Sequence, residues 1–147
     1  MKKKIILVGG AGYIGTVLTG HLLNEGYKVK CIDNLIYEQD DCLSSFFKNK
    51  NYEFINIDIR QKNLLVEHFD VDCSVVLLAG LVGDPISKKY PQINDEINLS
   101  GILNIIEICK EKNIEKLIFT STCSNYGITE NNIKAKEDHN LNPLSLY

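Results

Sequence analysis

The passage 4–33 constrains this chain more than any other, because it sets strand, glycine turn, helix, strand and acid in one unbroken order. Ile5-Ile6-Leu7-Val8 is a short run of apolar residues, as expected of a strand buried on both faces of a parallel sheet. It leads directly into Gly9-Gly10-Ala11-Gly12-Tyr13-Ile14-Gly15. From Gly12 on, Ile14, Val17, Leu18, His21-Leu22 and Leu23 recur at helical spacing, which predicts that they form the helix's packing face. Gly26 is placed to end that helix. Residues 27–32 then read as a second strand, with Asp33 at its end.

The spacing carries chemistry. A diphosphate docks on a helix N-terminus only where backbone N–H groups face it and no Cβ intervenes. Gly9 permits a tight turn, Gly12 close approach of the diphosphate, and Gly15 close packing of helix on strand. Tyr13 and Ile14, inside the same turn, are expected beside the ligand. Asp33 follows at the distance where an acid accepts hydrogen bonds from a ribose diol, with Asn34 next to it. A carboxylate there repels a 2′-phosphate, so the expected cofactor is NAD rather than NADP.

With 147 residues, 44% hydrophobic and 24% charged, the chain suits one globular domain, here taken as 1–147. A net charge of −3 with scattered lysines gives no basic face, so neither nucleic acid nor an anionic membrane is an expected partner. Lys2-Lys3-Lys4 precedes only a short apolar run, so no export signal or membrane span is read. The cysteines at 31, 42, 73, 109 and 123 and the histidines at 21, 68 and 139 show neither a disulfide framework nor metal-ligand spacing. A reduced, cytoplasmic setting and no metal site are expected.

Further along, 52–57 reads as a third strand ending at Asp58-Ile59. That edge of a parallel sheet is where ligands bind, so both residues are candidates to hold adenine. Asp58 has an equal alternative as the cap of a helix over 61–69. A fourth strand, 73–79, runs into Leu78-Ala79-Gly80-Leu81-Val82-Gly83-Asp84-Pro85, small residues that let backbone approach a cofactor. Asp84-Pro85 is read as shaping that loop. Apolar spacing predicts a long helix over 93–112, with Asn98 and Asn104 bracing neighbouring backbone. A fifth strand, 116–121, has Leu117-Ile118-Phe119 as its core. Strands alternating with helices predict a doubly wound parallel (Rossmann) α/β sheet.

Together GGAGYIG at 9–15, DN at 33–34, DI at 58–59, LAGLVGDP at 78–85, INLSGILNIIE at 97–107 and FTSTCSNYG at 119–127 resemble the extended short-chain dehydrogenase/reductases. Within them the chain is most similar to the NAD-dependent nucleotide-sugar epimerase/dehydratases. The resemblance implies an enzyme on a nucleotide-linked sugar, with Leu78, Ala79, Gly80 and Asn98 at the cofactor. It also implies Thr122 as the hydroxyl after strand five and Tyr147 as the tyrosine of a Tyr-x-x-x-Lys pair. Cys123-Ser124 stand where dehydratases carry acids, which favours an epimerase or ketoreductase. A homodimer paired through long helices is implied too.

The lysine would fall four residues after Tyr147, beyond the chain, as would a substrate domain and the rest of the sheet. The chain alone is therefore expected to bind NAD but to turn over poorly. A fragment of a longer enzyme is preferred to a shortened reading frame or a half-enzyme completed by a partner. The competing class is a non-catalytic NAD-binding or redox-sensing module; its mark would be loss of Thr122 or Tyr147, and both are present.

Overall fold

The computed structural model describes residues 3–129 and 134–144. Five strands, β1 (Lys4–Val8), β2 (Lys28–Asp33), β3 (Tyr52–Asn56), β4 (Cys73–Leu77) and β5 (Lys116–Phe119), form one parallel sheet in the order β3-β2-β1-β4-β5. The chain winds outward from β1 through β2 to β3, then crosses back to lay β4 and β5 on the other side. This reversal is the doubly wound pattern read from the sequence, and it opens a crevice at the carboxyl ends of the central strands. Val8 pairs with both Ile32 and Leu77, so those three strands end level.

Alternate residues of each strand feed two layers. Ile6, Val8, Ile32, Val75 and Leu77 face one cluster, filled by Ile97, Ile105 and Ile108 from the long helix and by Leu65 and Phe69. Leu7 and Val29 face the other, against Leu18, Leu22 and Leu23 of α1 (Tyr13–Asn24). Burial of this kind contributes roughly 1.5–3 kcal/mol per large apolar side chain.

Helix α1 differs from its expected orientation. Ile14 is 56% and Val17 69% exposed, whereas Gly15, Thr19 and Leu23 are buried. The cause is Gly15: a Cβ there would lie 2.5 Å from the carbonyl oxygen of Gly10. The helix rests on the turn after β1 through that glycine, and the contact turns its 15–19–23 stripe inward.

The helix expected over 61–69 is shorter, α2 (Lys62–Leu65) followed by a 3₁₀ turn (Val66–His68). Its cap position is Gln61, with no side-chain cap bond, so Asp58 does not cap it. The loop expected at Asp84-Pro85 begins a short helix, α3 (Asp84–Lys89), with Pro85 in its first turn, where the missing N–H costs nothing. The long helix is segmented into α4 (Pro91–Asp95), a π-helical stretch (Glu96–Gly101) and α5 (Ile102–Glu111).

Strand β5 is a sheet edge. Leu117 packs on the first cluster, but Ile118 and Phe119 are 52% and 49% exposed. The strand core expected there is half open for two reasons: Ile118 points to the α1 face, at the edge of the sheet, and Phe119, on the face of Leu117, stands at the strand's carboxyl end. Among the described residues, no helix is long and apolar enough to cross a membrane.

The Thr19 hydroxyl is fully buried and has no hydrogen-bond partner among the described residues. An unsatisfied buried hydroxyl costs about 1–3 kcal/mol. Thr19→Val keeps the shape and removes that cost; thermal denaturation should show stabilisation of about 1 kcal/mol.

Candidate functional site: a dinucleotide cleft at the strand reversal

The carboxyl ends of the strands open into a cleft of about 400 Å³. One wall is the glycine turn, with Gly9, Gly12, Tyr13, Ile14 and Gly15 on its surface. Asp33, Asn34, Asp58 and Ile59 line a second side, and Leu78, Ala79 and Gly80 a third. All the cofactor residues expected from sequence except Asn98 therefore meet in this one cleft.

The glycine turn is held rigidly. Gly9 has φ +81°, and its N–H donates to the Ile32 carbonyl at 2.8 Å. A Cβ on Gly9 would lie 2.4 Å from the Ala79 backbone nitrogen, so the turn is seated directly against the end of β4. Leu78 and Ala79 in turn both donate to the Val8 carbonyl, at 2.8 and 2.9 Å.

Gly12 is different. A Cβ built there would meet only the Gly9 carbonyl oxygen, at an ordinary 3.6 Å, and its φ of −72° suits any residue. Among the described residues nothing requires glycine at 12. The room it leaves lies at the N-terminus of α1, which has no side-chain cap and no acid in its first turn. First-turn N–H groups lack intrahelical acceptors, so they remain to hold an anion. This is the fit expected for a dinucleotide's diphosphate.

Asp33 has two tasks. One carboxylate oxygen accepts from the Ala11 N–H at 3.0 Å and the other from the Leu35 N–H at 2.9 Å. The acid thus ties the glycine turn to the end of β2. Each oxygen keeps a lone pair, enough for the two hydroxyls of a ribose.

Asp58 sits in a network that its sequence context did not reveal. Its oxygens accept from Arg60 Nε and the Arg60 N–H, both at 2.9 Å, from Arg60 Nη2 at 2.8 Å and from Asn34 Nδ2 at 2.7 Å. Burial alone would raise its pKa, but the Arg60 and Asn34 bonds outweigh burial and hold the carboxyl below its ordinary value. Arg60 also reaches Glu96 of the π stretch at 2.9 Å. The adjoining carbonyl of Ile59 accepts from Asn104 Nδ2 at 3.0 Å, the bracing role expected of that asparagine.

Asn98 stands behind the cleft wall. Its Oδ1 accepts from the Leu81 N–H at 2.7 Å and its Nδ2 donates to the Leu81 carbonyl at 2.9 Å. Nδ2 also donates to Asn94, which accepts from Ser87. Sequence reading missed Asn94 and Ser87, both 1% exposed; polar residues at core-facing helical positions were the available signal. It placed the connection 34–37 over the adenine side without singling out Tyr37, and it gave Thr120 no role; both line the cleft.

Thr122 does not line the cleft. It lies just past β5, where its Oγ1 accepts from the Ser124 N–H at 3.2 Å and caps a 3₁₀ turn. Tyr147 lies outside the described residues. Among the described residues no cluster of histidine, cysteine or acid side chains is arranged to hold a metal ion.

Comparison with known proteins gives the same picture. The model of the NAD dependent epimerase/dehydratase family matches residues 5–147. The putative UDP-glucose 4-epimerase of Methanocaldococcus jannaschii is 32% identical over 144 residues, 97% of this chain and 46% of that protein. The UDP-glucose 4-epimerase of Pisum sativum is 31% identical, covering 99% of this chain and 43% of the relative. Among solved structures, the UDP-N-acetylglucosamine 4-epimerase from Methanobrevibacter ruminantium M1 in complex with UDP-N-acetylmuramic acid has a TM-score of 0.90 at 31% identity, covering 100% of this chain and 46% of that one. The UDP-glucose 4-epimerase of Thermus thermophilus in complex with NAD has a TM-score of 0.86 at 29% identity, covering 98% and 46%. The chain spans less than half the length of these relatives.

Two glycine variants separate ligand from fold. Gly12→Ala should leave the melting temperature near wild type while weakening NAD roughly tenfold or more in calorimetric titration. Gly15→Ala should instead destabilise by about 1–3 kcal/mol, because its Cβ meets backbone that cannot yield. Asp58 gives a pH prediction. Its folded pKa is depressed, so its contribution is present above the unfolded value and lost as pH falls through the folded one. The stability gap between wild type and Asp58→Asn should hold from neutrality to about pH 4 and close only below it, in urea titrations across pH.

Proposed function

Because the chain belongs to the NAD-dependent epimerase/dehydratase family, we propose that it provides the cofactor-binding part of an enzyme that epimerises, or reduces a ketone of, a nucleotide-linked sugar. The observation that carries this reading is the unforced glycine at 12, a space at the head of α1 that suits a diphosphate, with Asp33 placed for the adenosine ribose.

In this proposal the N–H groups of the glycine turn hold the diphosphate and Asp33 grips the adenosine ribose. Asp58 and Ile59 bound the adenine, and Leu78 to Gly80 present backbone to the nicotinamide side. Asn98 acts by fixing Leu81, which keeps that wall in register. NAD, when bound, supplies acceptance and return of hydride at a sugar carbon. Thr122 spends its oxygen lone pair on Ser124, which leaves its own proton to donate to the sugar oxygen. Tyr147 takes the sugar hydroxyl's proton. A free phenol, with pKa near 10, is a poor base at neutral pH, so the family's lysine four places on is assigned the task of lowering it.

The substrate class follows from the family's relatives, several of which are UDP-glucose 4-epimerases. Exposed Leu99 and Leu103, one helical turn apart, suit pairing of two copies through this helix. A cytoplasmic location belongs to the same proposal, supported by the exposed free thiols of Cys42 and Cys123.

The test is to supply the full protein with NAD and UDP-linked hexoses and follow the configuration of the sugar by NMR. Interconversion of 4-epimers is expected, or, with NADH and a UDP-linked keto-sugar supplied instead, reduction of the ketone as NADH is oxidised, with Tyr147→Phe lowering kcat by about 10²–10⁴-fold. A protein that binds NAD yet leaves every nucleotide sugar unchanged would overturn the enzyme reading in favour of a binding module.

A further inference from the structure

Tyr37 crosses the mouth of the cleft. It stands on the loop after β2, lines the cleft, and its phenolic oxygen accepts from the Val82 N–H at 3.0 Å, on the loop after β4. These loops line different sides of the cleft, so the contact ties one side to the other.

Both ends of the bridge are fixed. On the Tyr37 side, Asp33 holds the Leu35 N–H and the Asn34 side chain holds the Ile36 N–H at 3.1 Å. Leu35 and Glu38 adopt left-handed backbone, φ +56° and +53°, and the Glu38 N–H closes the turn on the Leu35 carbonyl at 2.8 Å. Left-handed leucine is costly and persists only where surrounding structure imposes it. On the other side, Asn98 clamps Leu81, the residue before Val82, by both its N–H and its carbonyl.

The bond's direction leaves a reagent unspent. Because Val82 donates, the phenolic oxygen is the acceptor and its own hydrogen remains available. That hydrogen belongs to a residue lining a cleft whose glycine wall already presents N–H donors. A diphosphate, which offers only acceptor oxygens, is the partner such a donor fits.

Building on the dinucleotide reading of this cleft, we propose that Tyr37 is a cofactor-binding residue, a strap anchored on Val82 that closes over the dinucleotide and donates a hydrogen bond to its diphosphate. It slows escape of bound nucleotide as well as adding a contact.

The test compares wild type with Tyr37→Phe in the full chain, titrating NAD, ADP and adenosine and timing NAD release by stopped flow. Loss of a hydrogen bond to a charged group should weaken NAD and ADP by about tenfold, mostly through faster dissociation, and leave adenosine unchanged. Hydrogen exchange at the Val82 amide, readable without ligand, should be faster in the variant. Equal affinities of wild type and variant for NAD and ADP, an equal loss for adenosine, or unchanged exchange at Val82 would overturn the strap. Wild type binding neither NAD nor ADP would instead refute the cofactor reading on which the strap rests.

Discussion

The contact that everything else depends on is backbone against backbone, where Gly15 of α1 meets Gly10 in the turn just past β1. No side chain fits between them. The helix consequently starts as close to the strand as a polypeptide allows, and its N-terminus opens directly onto the strand reversal. The same approach sets the rotation of α1. Thr19 and Leu23 turn inward, and Tyr13 and Ile14 turn toward the cleft, although both are apolar and the periodicity alone would have buried Ile14. Packing of one small residue thus decides which side chains line the cleft.

Much of this was legible in the sequence because it rests on local rules. The glycine spacing, the acid after β2 and the runs of β-branched residues each have a short-range physical cause, and they located the strands and most of the cleft. What could not be read depends on contacts between distant segments. Asp58 looked equally suited to capping a helix and to facing a ligand; Arg60 and Asn34, from separate parts of the fold, decide how its oxygens are used. Ile118 read as strand core, yet on this edge strand it faces away from the cluster that takes in Leu117. Tyr37 lay in a stretch without periodicity, and its role depends on a bond to a residue 45 positions away.

The π stretch Glu96–Gly101 joins the two halves of the cleft. Glu96 holds Arg60 and through it Asp58, while Asn98 holds Leu81. Gly101 lies so close to Ile59 that a Cβ would come within 2.6 Å of its side chain. One irregular turn of helix therefore positions the loop after β3 and the loop after β4 together. An α-helix advances its side chains by a fixed angle; the extra residue of a π turn changes that angle, and such turns recur at functional sites for this reason. Movement of this segment would disturb both loops at once.

The charges around the cleft explain how it can favour an anionic ligand while carrying acids. Among the described residues no lysine or arginine lines it, and Asp33 and Asp58 do. Each carboxylate is already engaged, Asp33 by backbone N–H groups and Asp58 by Arg60, so their fields are partly neutralised before any ligand arrives. In the proposed binding mode the diphosphate's charge would fall to the dipoles of the first turn of α1 and to hydrogen-bond donors, which act at short range and in fixed directions. A further phosphate on the adenosine ribose would have no such donors among the described residues. With the ribose placed as proposed, it would lie against Asp33, whose spare lone pairs suit hydroxyl hydrogens and repel phosphate oxygens. In the proposed binding mode, discrimination between the two nicotinamide dinucleotides would therefore rest on the want of a lysine or arginine in the cleft lining as much as on the acid that is present.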